Sequence, residues 1–141
     1  MNLQVIWFGV ILIFLVIAAI IIHEVTHWIV LRRMTGKEIK MHLVMTGKFP
    51  TRSLRIKVGD PQDYKGLSDE GYMFVLGSGI ATGFLFLLVA NDYINGWIVF
   101  AASVWYLLSC DRDFWNIFKT INPDNAAALE NWRELKFEVQ K

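Results

Sequence analysis

The sequence predicts an all-α membrane protein: three transmembrane helices, a small cytoplasmic β-hairpin between the first two, and a short C-terminal surface helix. Three observations carry that expectation. Of 14 basic and 13 acidic residues in a chain of 141, only Glu24 and Asp92 fall within residues 1–31 and 71–110. A soluble domain would scatter its charges over exposed helix faces and loops, so this segregation marks segments that avoid water. Residues 5–22 form an unbroken apolar run, and residues 53–58 alternate with the two-residue period of a strand.

The first helix is expected over residues 4–31. Its apolar pattern passes through HEVTHWIVL and stops at Arg32-Arg33, and about 20 apolar residues suffice to cross a bilayer. A cleaved signal peptide would need a basic leader, a shorter apolar core and small residues at a cleavage site, and this segment has none of them. The second span is expected over 72–90, with Gly77, Gly79 and Gly83 allowing a neighbouring helix to approach closely. The third is expected over 97–118, interrupted by Asp111-Arg112-Asp113. The short connection 91–96 makes helices two and three an antiparallel hairpin.

In the loop 32–70, residues 37–45 alternate imperfectly and 46–51 supply turn chemistry before the clean strand 53–58. After the third helix, Asn122-Pro123 reads as a cap followed by proline in the first turn, opening a surface helix to about Lys136. The loop 32–70 holds nine basic residues, and Lys119, Arg133, Lys136 and Lys141 lie beyond the third span. Residues 1–3 and 91–96 hold none, so the positive-inside rule puts the N-terminus outside and the loop and C-terminus in the cytoplasm. The whole chain, 1–141, is one integral membrane domain whose surroundings are the lipid bilayer. A net charge of +1, with no basic-aromatic stripe, excludes a nucleic-acid partner. The single cysteine, Cys110, excludes a disulfide framework and a multi-cysteine zinc site.

Residues 23–27 read His-Glu-Val-Thr-His, an HExxH pattern. Histidines at i and i+4 lie about 40° apart around a helix, so both rings can reach one metal ion, with Glu24 adjacent to accept a proton from a metal-bound water. Inside a bilayer an ionisable side chain costs on the order of 2.5–3.5 kcal/mol, which makes it a functional residue by default. The competing reading is a His-Glu-His hydrogen-bond cluster that ties helices together.

With HEVTH in the cytoplasmic half of the first helix, glycines along the second and an acidic residue in the third, the chain resembles the site-2 protease family of intramembrane zinc metalloproteases. The resemblance covers nearly the whole chain. It implies a Zn2+ site with His23 and His27 as ligands, an aspartate of the third helix as third ligand, and Glu24 as catalytic base. That family's aspartate usually stands in an Asn-Pro-Asp-Gly or Leu-Asp-Gly setting, whereas this chain has Cys110-Asp111-Arg112-Asp113-Phe114 with no following glycine. Asn122-Pro123-Asp124 matches the family setting in letters only, past the helix end.

Two arguments independent of the family bear on the third ligand. His27 precedes Arg32 by five residues and Asp113 precedes Lys119 by six, so both lie at the same depth, roughly 8–9 Å inside the basic rim. Asp113 would share a helix face with Tyr106, Ser109, Cys110 and Asn116, and Asp111 with Val104, Leu107, Leu108, Phe114 and Trp115. The polar face suits a metal cavity and favours Asp113, with Asp111 as the alternative. Cys110 is open to two readings, a soft ligand or a buried free thiol. His42, alone on the hairpin, reads as structural.

The expected function is hydrolysis of peptide bonds in membrane protein substrates by a zinc-activated water, with Glu24 taking the water proton and passing it to the leaving nitrogen. A transmembrane substrate must unwind locally, and the hairpin over 37–58 can either receive it as an added strand or serve as a plain connector. The alternative class is a non-catalytic membrane protein of the same fold that binds transmembrane segments or holds zinc structurally. A metal transporter ranks last, because residues 5–22 supply no polar path.

Overall fold

A computed structural model describes residues 3–46 and 53–127. It is mostly helical: α1 (Leu3–Thr35), a hairpin of β1 (Met41–Thr46) and β2 (Ser53–Val58), α2 (Asp69–Ala90), α3 (Gly96–Ser109) and α4 (Asp111–Ile121). The expected turn at 47–52 and the tail beyond 127, with its basic residues, lie outside the described residues, and only 123–127 of the expected surface helix are seen as helical.

Helix α1 has no proline along its length and continues four residues past the expected end. Arg32 and Arg33 occupy its last turn, where cations complement the exposed carbonyls. Gly36, at φ +66°, ends it by donating its N–H to the Arg32 carbonyl. α2 begins three residues earlier than expected because Ser68 caps it, its Oγ accepting from the Gly71 N–H at 3.2 Å, with Asp69 and Glu70 in the first turn. Asn95 caps α3 through the Trp97 N–H at 3.0 Å.

The expected continuous helix over 97–118 is corrected: the chain breaks at Cys110, where φ is −87° and ψ 12°. The Cys110 N–H still reaches the Tyr106 and Leu107 carbonyls, and its own carbonyl starts α4 by accepting from the Asp113 and Phe114 N–H groups. The break falls where the apolar run meets Asp111-Arg112-Asp113. Restarting there sets both aspartates in a first helical turn, where the free N–H groups favour negative charge. α3 alone is 14 residues, about 21 Å long against the roughly 30 Å of a hydrocarbon core. Among the described residues, α1 and α2 are the helices long and apolar enough to cross a membrane.

Two apolar clusters hold the elements together. Leu15, Val16 and Ala19 of α1 meet Leu87 and Ala90 of α2 and Ile98, Val99, Ala102 and Tyr106 of α3. Leu31, Ile39, Val58 and Val75 form the second, which fastens the root of the hairpin between the end of α1 and the start of α2. Polar ties support it: the Trp28 indole N–H donates to the Ile39 carbonyl at 2.7 Å, and the Tyr64 hydroxyl to the Val58 carbonyl at 3.0 Å. In the hairpin Met41 pairs with Val58 and Thr46 with Ser53, and the β2 boundaries are those its alternation predicts. Along α1 the buried residues Leu15, Ala19, His23, His27 and Leu31 recur every four positions in one stripe. His23 and His27 therefore sit between the two clusters, while Trp7, Phe8, Phe14, Ile17 and Ile21 remain exposed.

Candidate metal centre

Along that stripe the two histidine rings are neighbours, with centroids 4.4 Å apart. Both residues are 4 % exposed. A buried imidazole must find polar partners, since leaving one unpaired costs about 1–3 kcal/mol. For His23 they come from the segment that straddles the Cys110 break. Its Nε2 lies 2.7 Å from Asp113 Oδ2, and its Nδ1 lies 2.8 Å from the Tyr106 hydroxyl and 3.7 Å from Cys110 Sγ. His27 Nε2 lies 3.9 Å from the same Asp113 oxygen and 3.3 Å from the Leu76 carbonyl of α2.

His23, His27 and Asp113 each offer a ligand atom, and the three atoms lie within 4.8 Å of one another, so the cluster can hold a metal ion. Two imidazoles and a carboxylate supply three ligands and leave a fourth position open, the ligand count of a catalytic zinc rather than a closed structural one. Asp113 is also the most accessible of the three, its side chain 17 % exposed against 5 % for each histidine.

Glu24 is half-buried next to His23. Asp111 stands apart from the histidines: it is exposed, and its Oδ1 accepts from the Arg112 N–H at 2.8 Å. Cys110 is a buried free thiol beside the His23 ring. His42 is exposed on β1, opposite Lys57 and away from the cluster.

Helix α2 closes the back of the site with two glycines four residues apart. A methyl group at Gly79 would overlap the His27 ring, and one at Gly83 would overlap the Tyr106 ring. Each glycine is thus a notch that receives one side chain. Gly77, expected to share in the close approach, faces open space instead. A hydroxyl tie reinforces the α1–α2 contact, Thr82 Oγ1 donating to Thr26 Oγ1 at 2.9 Å. Tyr106 and Gly79 were not singled out by the spacing of HExxH. The signal for Tyr106 was its place seven residues before Asp113 on the polar face, and the signal for Gly79 was membership of the glycine row.

Comparisons with protein-family models, with curated proteins and with solved structures returned no match. The chemistry of the centre is accordingly read from its own geometry.

Proposed function

We propose that this chain is an intramembrane zinc metalloprotease of the site-2 protease type, cleaving transmembrane or membrane-associated protein substrates. The observation that carries the proposal is the convergence of Asp113 Oδ2 on His23 Nε2 and His27 Nε2, two buried histidines next to Glu24 in a helix long and apolar enough to cross a bilayer. Three N/O ligands with an open fourth position are what catalytic zinc takes, so the residues fit that ion. When bound, zinc supplies Lewis acidity, polarising a carbonyl and bringing the pKa of a water close to 7.

The chain's own groups supply the proton transfers. Glu24 takes the proton of the attacking water as its oxygen adds to the scissile carbonyl carbon, then delivers it to the amide nitrogen as the C–N bond breaks. The Gly79 notch seats the His27 ring. A substrate helix must unwind to present its carbonyl, and the hairpin edge beside the end of α1 offers backbone partners for the freed strand. The charge pattern supports an N-terminus outside, with the loop 32–70 and the tail in the cytoplasm. The third span then combines α3 with the first turns of α4.

Metal analysis of the purified protein should give about one zinc per chain, lost in His23→Ala and in His27→Ala. Glu24→Gln should keep the zinc and abolish cleavage of a single-span substrate. A metal-free wild type would sink the zinc site, and undiminished cleavage by Glu24→Gln would remove that residue from the mechanism. A zinc-loaded wild type that cleaves no membrane substrate would favour the non-catalytic reading.

A further inference from the structure

We infer that Tyr106 is a positioning residue of the metal centre: its hydroxyl holds His23 in the orientation and tautomer that point Nε2 at the metal position. The inference rests on the metal reading above and adds a residue outside the ligand set and outside HExxH.

The Tyr106 hydroxyl has limited hydrogen-bonding capacity. A phenol has one hydrogen to donate and lone pairs to accept with. The Tyr106 hydroxyl lies 3.1 Å from the Gly79 carbonyl and 3.1 Å from the Ile80 carbonyl, and carbonyls can only accept. The phenolic hydrogen is therefore committed to α2. The remaining neighbour, His23 Nδ1 at 2.8 Å, must then be the donor, its N–H pointing at the phenol oxygen. With the Nδ1 proton committed to the phenol, Nε2, 2.7 Å from Asp113 Oδ2, is the nitrogen left to give up its proton and ligate a metal ion. Histidine ligands generally take this form, with the second nitrogen donating to an outer partner that fixes the ring.

The packing supports the assignment. Tyr106 is 0 % exposed, so no bulk water competes for its hydroxyl. The Gly83 notch seats its ring, and the ring stands edge-on to His23 at a tilt of 74°. The Tyr106 hydroxyl thus links all three helices: it rises from α3, donates to α2 and accepts from α1. Asp113 follows two turns later on the same stripe, so one segment brings both the ligand and the group that orients His23.

Tyr106→Phe removes the hydroxyl and keeps the ring in its notch. Titrated with Co2+ and Zn2+, that variant should bind roughly 10–100-fold more weakly than the wild type. The visible Co2+ spectrum should also shift, while the metal-free variant still unfolds cooperatively, at a lowered midpoint because His23 Nδ1 loses its buried partner. Thr82→Val, which deletes a partly buried hydroxyl away from His23, should leave affinity and spectrum unchanged. Nitrogen-15 NMR of the zinc-loaded wild type needs no variant, and should show His23 protonated at Nδ1 and ligated through Nε2. Wild-type affinity and spectrum in Tyr106→Phe, or ligation of His23 through Nδ1, would overturn the inference while leaving the metal site standing. A wild type that binds neither ion would overturn both.

Discussion

Asp113 carries two relations at once, to His23 at 2.7 Å and to His27 at 3.9 Å, through the same oxygen. Asp111, two residues away, turns outward to the Arg112 N–H. Asp113→Asn should therefore lose zinc affinity by more than the roughly 100-fold that bounds an outer partner, and Asp111→Asn should bind zinc like the wild type. Competition titration against a chelator dye reads both, and a reversed result would transfer the ligand to Asp111. The shared face expected for Asp113 presumes an unbroken helix. It holds across the break for Tyr106, Cys110 and Asp113, which all reach His23, because the Cys110 N–H still bonds to the Tyr106 and Leu107 carbonyls. It fails for Ser109, expected on the same face, which is exposed and bonds back to the Trp105 carbonyl.

The helices meet through notches, and that makes their packing intolerant of single methyl groups. Gly79→Ala would drive a Cβ into the His27 ring, with the His23 carbonyl also at 3.1 Å, so the helices must part or the ring must leave. The expected outcome is loss of stoichiometric zinc together with destabilisation of about 1–3 kcal/mol. Gly77→Ala, facing open space, should change neither. Metal content and thermal unfolding of the two variants provide the comparison. Between β2 and α2, burial pushes the Tyr64 phenol above its usual range while its hydroxyl donates to the Val58 carbonyl at the hairpin root. A phenol whose pKa is raised by folding lends its full stabilisation below its unfolded pKa, near 10, and loses it as pH climbs toward the raised value. The thermal unfolding midpoint should therefore fall above about pH 10 in the wild type, and Tyr64→Phe should show a shallower alkaline decline. The hairpin's strand 53–58 was legible from alternation alone. The end of α3 was not, because an apolar run reports where a helix avoids water and not where its backbone turns.

Across the whole molecule, orientation is the property most open to test. Asp92 and Asp60 are both exposed, in the 91–95 turn and in the segment after β2. In intact cells a membrane-impermeant maleimide should label Asp92→Cys directly and Asp60→Cys only after permeabilisation, and the opposite pattern would invert the topology. The sequence by itself determined the apolar segments, the hairpin's second strand and the pairing of His23 with His27. Each of these depends on residues close in the chain, where helical or strand period alone decides which side chains share a face. Tertiary structure decided the rest: the break at Cys110, the choice of Asp113, the Gly79 and Gly83 notches and the lock of Tyr106 on His23. The side-chain contacts among these join residues 23 to 90 positions apart. They follow from how three helices fill shared space, which no local period encodes.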